Sequence, residues 1–132
     1  IGILATVVLV AVNPARQFKQ ARDSQRLANV NTILNALGQN ISDHQGVIHC
    51  GSGDPGISNT PLLMTTGSDG VDIADCLVPE YLPKLPYDPY PERGHYVSED
   101  DYNTGYSIST DPLGRLTVSA TGEIQPNIAV SR

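Results

Sequence analysis

The first twelve residues, from Ile1 to Val12, constrain the fold of this chain more than any other stretch. Ten of them are apolar and none is charged. An amphipathic helical pattern follows and reaches Ile41. One helix over 1–40 would be about 60 Å long, whereas a compact domain of this length has a radius of gyration of about 14 Å. The sequence therefore predicts that the apolar end of the helix is buried outside its own domain.

The length of the apolar run lies between two familiar classes of segment. As a helix it would span about 18 Å, which is too short for a bilayer hydrocarbon core of about 30 Å. It also lacks the basic start and the small-residue cleavage site of a signal peptide. We therefore interpret it as the C-terminal part of a longer apolar segment. In a dry environment such a segment is helical, because a helix satisfies its own backbone hydrogen bonds.

The Asn13-Pro14 dipeptide marks the border between the apolar run and the amphipathic pattern. Within a continuous helix, Pro14 removes a backbone donor and predicts a kink, and Gly2 is a second candidate for such a bend. Alternatively, Pro14 begins a separate helix at its first position, with Asn13 as the N-terminal cap. The local residues favour neither alternative over the other.

From Ala15 onward, the spacing of apolar residues predicts one face of an α-helix over 15–41. The side chains expected to pack on the rest of the domain are Leu27, Val30, Ile33, Leu34, Leu37 and Ile41. The polar positions expected on the other faces are Arg16, Lys19, Gln20, Arg22, Asp23, Arg26 and Asn29. Gly38 and then Gly46 predict where the helix frays and ends.

Residues 43–132 are predicted to form a globular head. The chain has 12 glycines and 10 prolines, which is more than a tight helical bundle would tolerate. We expect a loop region over 43–95, with a short strand or turn within 61–66 and a short helix within 71–82. The head therefore begins with turns and irregular chain.

An antiparallel sheet is expected over 96–130, because polar and apolar residues alternate there. The expected strands are Thr104–Thr110, Arg115–Thr121 and the edge strand Ile124–Val130. Together with the helix over 1–42, which divides into an apolar half (1–13) and an amphipathic half (15–41), this order predicts an α+β fold. A long N-terminal helix would pack on a small antiparallel sheet.

Charge is distributed unevenly along the chain, whose net charge is −6. Residues 1–40 hold four basic residues and one acidic residue, whereas 41–132 hold four basic and thirteen acidic residues. The simpler interpretation is that the basic helix and the acidic head are both surfaces exposed to solvent. The alternative is that neighbouring copies pack helix to head with complementary charge. The acidity of the head argues against nucleic acid as a partner.

Cys50 and Cys76 are the only cysteines and lie in a region rich in glycine and proline. This pattern favours an extracytoplasmic disulfide. A zinc site that includes His44 and His49 is the alternative, although the spacing matches no standard zinc motif. The stretch 51–53 lacks the spacing of a nucleophile elbow, so we expect no enzymatic activity.

Glu99, Asp101 and Asn103 alternate as the oxygen ligands of a calcium loop would. However, the glycine comes one place late, at Gly105, and no bidentate glutamate follows. A solvated loop tip is therefore the favoured interpretation, and no metal or cofactor is expected. Six tyrosines between Tyr81 and 106 either support the core of the head or form a contact patch between subunits.

The chain resembles type IV pilins and the related pseudopilins. The block Ile1-Gly2-Ile3-Leu4-Ala5, the apolar run, the proline and the basic amphipathic helix carry this resemblance. In the head, Leu85-Pro86-Tyr87-Asp88-Pro89 is similar to a passage that leads into the sheet of many bacterial pilins. In the family, a methylated phenylalanine and a glutamate precede the Ile-Gly block, so we expect about a dozen further residues upstream of Ile1.

The resemblance implies the pilin fold and a structural subunit of a type IV pilus-like filament at the cell surface. The partners it implies are other copies of the chain, the inner membrane before assembly, and the pilus assembly machinery. The filament-core side chains would be Ile1, Ile3, Leu4, Val7, Val8, Leu9, Val10 and Val12. One alternative is a pseudopilin of a type II secretion or competence apparatus. Another is a membrane-anchored monomeric binding protein.

Overall fold

The computed structural model describes residues 13–132 and has an α+β architecture in which one long helix packs on an antiparallel sheet. Gly2 and all eight predicted filament-core side chains lie outside the described residues. The elements, in chain order, are α1 (Pro14–Asp43), β1 (Leu62–Thr65), α2 (Ala74–Leu77), β2 (His95–Ser98), β3 (Asp101–Thr110), β4 (Leu116–Ala120) and β5 (Ile128–Ser131).

Pro14 is the first residue of α1. The backbone of Asn13 is extended (φ −74°, ψ 102°), and its side-chain oxygen accepts the N–H of Arg16 at 3.4 Å. This is the capped start that was one of the two alternatives for Pro14. The kink at Pro14 involves residues before Asn13, which lie outside the described part of the chain, and it stays a prediction.

Helix α1 continues through Gly38 and ends at Asp43, so the prediction that it frays at Gly38 was wrong. Leu34, Leu37 and Asn40 are all buried around that glycine, and their packing outweighs its low helix propensity. The helix ends where Gln45 and Gly46 both take positive φ angles.

The sheet has the strand order β1-β3-β4-β5, and β2 pairs with the first residues of β3. All strand pairs are antiparallel. The register aligns Leu62 with Ile108, Ile108 with Val118, and Val118 with Val130. This row crosses the sheet on the face that α1 covers, since Ile108 and Val118 have no solvent exposure. Alternation places apolar residues on one face of a strand, as the sequence predicted for β3 and β4.

Strands β1 and β2 differ in how well the sequence pattern predicts them. Strand β1 matches the short strand expected within 61–66, and its outer edge is occupied by Val71, whose N–H donates to the carbonyl of Leu63 at 2.8 Å. Strand β2 lies at the start of the region 96–130 that was expected to form the sheet, but it was not predicted as a separate strand. Only Tyr96 among its four residues is partly buried, so the strand has no alternation to detect.

The apolar face of α1 packs on the sheet through Val30, Ile33, Leu34 and Leu37, all of which are buried. Ile41 is partly buried against the same core. The prediction for Leu27 was wrong, because its side chain is 44% exposed. The polar residues Asp23 and Arg26 take the head-facing positions of that turn instead.

We expect Leu37→Ala to lower the free energy of unfolding by roughly 2–5 kcal/mol, because it leaves a cavity in the core. Leu27→Ala, in the same helix and with the same atoms removed, should cost about 1 kcal/mol or less. Urea denaturation of both variants measures this difference. Equal losses would contradict the observed orientation of α1.

Candidate functional site

Eight positions of α1 form a stripe with alternating spacings of three and four residues, and we call this stripe the seam. They are Arg16, Lys19, Asp23, Arg26, Val30, Ile33, Leu37 and Asn40. Such a spacing keeps side chains on one face of a helix. The six seam residues from Asp23 onward are buried, whereas Arg16 and Lys19 are exposed. The seam therefore faces the head, and its first two positions extend beyond the edge of the head.

The guanidinium of Arg26 lies at the polar end of the buried seam and has no exposure to solvent. Its Nε and Nη2 donate to the two carboxylate oxygens of Asp88, at 2.8 and 2.9 Å. Its Nη1 donates to Asp23 and to Glu123, each at 2.8 Å. A buried arginine is tolerated when its donors are paired, and bidentate carboxylate pairing is the strongest form of such pairing.

Asp23 joins α1 to the segment that follows β4. Its carboxylate accepts the backbone N–H groups of Glu123, Ile124 and Gln125, at 2.8, 2.8 and 3.1 Å. The Glu123 side chain also forms an ion pair with Arg22. We refer to the five charged residues Arg22, Asp23, Arg26, Asp88 and Glu123 as the ion cluster. It connects α1 to two separate segments of the head.

The segment that carries Asp88 is held in place by its backbone. The N–H of Asp88 donates to the carbonyl of Thr104 at 2.8 Å, and Leu85 is fully buried. Gly105 crosses close above this segment with a φ of 76°, and a Cβ at that position would lie 2.9 Å from the Cβ of Asp88. Position 105 therefore requires glycine for both conformation and space.

Asn29, which follows Arg26 by three positions in α1, forms further polar contacts with the head. Its Nδ2 donates to the hydroxyl of Tyr106 at 2.7 Å and to the carbonyl of Tyr87 at 3.0 Å. Burial raises the pKa of Tyr106 to about 12. The helix is thus bonded through side chains to β3 as well as to the loops.

The contacts within the ion cluster keep Asp23, Arg26 and Glu123 charged. Burial works to raise the pKa of Asp23, but the three backbone donors and Arg26 lower it to about 2. The hydrogen bond from Arg22, helped by Arg26, lowers the pKa of Glu123 to about 2 against the effect of burial. The hydrogen bond to Asp88 outweighs burial and raises the pKa of Arg26 above its ordinary value. These groups are therefore ionised throughout the neutral range.

The sequence interpretation placed Asp23, Arg26 and Asn29 on solvated faces, and this was wrong, since all three are buried. A signal existed in the spacing, because the 3–4 pattern of the apolar residues continues through Arg26 and Asp23. Charged residues at such positions require counter-charges from elsewhere in the chain, and the spacing does not identify those partners.

The first turns of α1 have no cover from the head. All residues from Asn13 to Ala21 are exposed, and Phe18 keeps 64% of its surface accessible. At about 1.5 Å per residue, this part of the helix projects roughly 13 Å. It leads directly to the apolar run, so it connects the head to the predicted filament-core segment.

Cys50 and Cys76 form a disulfide, as the sequence favoured. The rings of His44 and His49 stack with their centroids 4.6 Å apart, and Nδ1 of His44 lies 2.7 Å from the carbonyl oxygen of Asn40. Because the sulfurs of Cys50 and Cys76 are joined in the disulfide, the two cysteines do not offer the thiolate ligands that the zinc alternative needs.

The calcium candidates lie in and next to the β2–β3 turn. Asp101 accepts from Nε2 of His95 at 3.0 Å, and the Asn103 side-chain oxygen accepts the N–H of Gly105 at 2.9 Å. Glu99 is exposed in the turn between β2 and β3. The oxygens of Asp101 and Asn103 thus have local partners.

The tyrosines divide between core and surface. Tyr102 and Tyr106 are buried, Tyr81 and Tyr96 pack against the core, and Tyr87 and Tyr90 are each 37% exposed. The guanidinium carbons of Arg22 and Arg93 lie 5.6 and 5.8 Å from the ring centroid of Tyr90. Tyr90 therefore lies beside the ion cluster, at the basic end of the molecule.

Comparisons with known proteins leave the family of the chain undetermined. No family model matches the chain, and no curated protein or solved structure is significantly similar to it. Between residues 13 and 132, no helix has both the length and the hydropathy of a membrane span.

We expect Arg26→Met to lower the free energy of unfolding by roughly 3–5 kcal/mol, because it leaves Asp88 and Asp23 buried without their counter-charge. Arg16→Met makes the same chemical change at an exposed seam position and should alter stability by about 0.5 kcal/mol or less. Denaturant unfolding followed by circular dichroism measures both. A loss in Arg26→Met no larger than in Arg16→Met would contradict the structural role of the ion cluster.

Acid should weaken the fold through Asp23 and Glu123. Their ordinary pKa values are 3.8 and 4.5, and the fold lowers both to about 2. Their stabilisation is therefore complete above the ordinary values and is lost as pH falls towards the folded pKa values. The free energy of unfolding should decrease between about pH 5 and pH 2. Glu123→Gln should reduce this slope, whereas Glu80→Gln, at an exposed position, should leave it unchanged.

Proposed function

We propose that this chain is a structural subunit of a type IV pilus-like helical filament with the pilin fold, and that it polymerises through Ile1–Val12. The observation that carries the proposal is the exposed first part of α1, which joins that apolar run to the head. Isolated helices of fewer than about 12 residues are marginal in water. Neighbouring copies would supply the contacts that the head does not supply.

The ion cluster gives the proposed subunit a fixed shape. Arg26 and Asp23 bind the helix to two head segments through directional, charge-assisted hydrogen bonds. A subunit in a fibre must transmit tension from its core helix to its surface domain. Several such bonds resist rotation of the head about the helix better than apolar contact alone.

Polymerisation through the apolar run would exchange one dry environment for another. In the proposed cycle, the run lies in the inner membrane before assembly and among the helices of other subunits afterwards. The backbone groups stay satisfied by the helix in both environments. A head-to-tail contact that does not close on itself produces a helical fibre. The assembly machinery and the cell surface location belong to the same proposal, and it assigns the chain no catalytic role and no cofactor.

The full chain should form fibres that sediment and are visible by negative-stain electron microscopy after detergent is removed. Val8→Glu should abolish the fibres, because it places a charge in the dry core. Val47→Glu makes the same change in the loop after α1, where the side chain is already 67% exposed, and should leave the fibres intact.

The same experiment separates the alternatives. Short, calcium-responsive assemblies would favour a pseudopilin of a secretion or competence apparatus. Monodisperse particles at all concentrations would contradict the filament proposal and favour a membrane-anchored monomeric binding protein. Fibres formed equally well by Val8→Glu would exclude the apolar run as the assembly surface.

A further inference from the structure

Arg16 and Lys19 occupy seam positions, yet nothing lies beneath them in the described part of the molecule. Both side chains are exposed, and neither forms an ion pair within residues 13–132. Each later charged seam residue, Asp23 and Arg26, is buried against opposite charge. The seam therefore begins with two cations on the side of α1 that faces the head. Within residues 13–132, neither cation is paired with a carboxylate.

Exposed carboxylates occur in the β2–β3 turn and in the loop after β1, and both segments border the start of β3. The N–H of Thr66 donates to the carbonyl of Tyr102 at 3.2 Å, and the hydroxyl of Tyr102 donates to Asp72 at 2.7 Å, so the loop after β1 lies beside Tyr102. We refer to the exposed acidic residues of these two segments as the acidic surface: Asp69, Asp72, Glu99, Asp100 and Asp101. Within the described residues, the only basic side chain paired with any of them is His95.

We propose that Arg16 and Lys19 of one copy dock on the acidic surface of a second copy. The inference rests on the proposed function and identifies a contact that would fix the register between subunits. A second copy fits better than a nucleic acid, because the head is strongly acidic and would repel phosphate. The Arg16–Lys19 pair and the acidic surface are different patches, and each copy carries both. A contact between unlike patches leaves one of them unused on each end copy, so further copies can be added and the contact propagates.

Zero-length carbodiimide coupling tests this contact directly. Lys19 and Lys84 are the only lysines in the chain, so amide links to carboxylates can be assigned by mass spectrometry. A mixture of ¹⁴N- and ¹⁵N-labelled full chains distinguishes links between copies from links within one copy. We expect mixed-label links from Lys19 to the acidic surface. Their absence, or mixed-label links from Lys19 only to carboxylates elsewhere, would overturn the inference.

Charge reversal provides the second test. Lys19→Glu should raise the critical concentration for assembly roughly tenfold, because like charges then meet at the contact. Lys84→Glu makes the same chemical change at an exposed position in the head and should leave that concentration unchanged. Asp100→Lys should restore assembly when it is combined with Lys19→Glu. A combined variant as weak as Lys19→Glu alone would contradict the pairing.

The outcomes separate this inference from the proposed function. If Val8→Glu abolishes fibres and Lys19→Glu does not weaken them, the filament stands and the docking contact fails. If mixed-label links join Lys19 to the acidic surface but no fibres form under any condition, the contact stands and the filament fails. Higher salt should weaken the links from Lys19, since exposed charges are screened over about 10 Å at 0.1 M.

Discussion

The arrangement of this molecule depends on one buried guanidinium, that of Arg26. Its four hydrogen bonds reach a carboxylate on its own helix, one in the proline-rich segment and one after β4. Apolar packing through Val30, Ile33 and Leu37 holds the helix on the sheet, but dispersion and hydrophobic contact are not directional. The guanidinium bonds are directional. They therefore restrict the rotation of the helix over the head.

The difference between directional and non-directional contacts explains why a charged group is buried next to the apolar positions of the seam. A hydrophobic residue at position 26 would pack on the head but would form no directional bonds, so it would not fix the angle between α1 and the head. In the proposed filament, a variable angle between helix and head would prevent regular stacking of subunits. In that proposed filament, the three carboxylates and two guanidinium groups of the ion cluster would keep this angle constant.

Much of the fold could be predicted from local patterns. The periodicity near 3.6 gave α1, and alternation gave β3 and β4, because each pattern reflects burial on one side of a single element. The ion cluster could not be predicted in this way, because its partners lie 62 and 97 positions from Arg26. Leu27 was misplaced for the same reason, since charged residues took the buried positions of its turn. The filament role of Ile1–Val12 stays a prediction.

The distance along the chain between Arg22 and Glu123, 101 positions, has a consequence for biosynthesis. A ribosome that adds about 5–20 residues per second incorporates Arg22 roughly 5–20 s before Glu123. During that interval the seam has no counter-ion from the last third of the chain, and the head lacks β5. The polar end of the seam therefore cannot complete its bonds to the head until nearly the whole chain has been made.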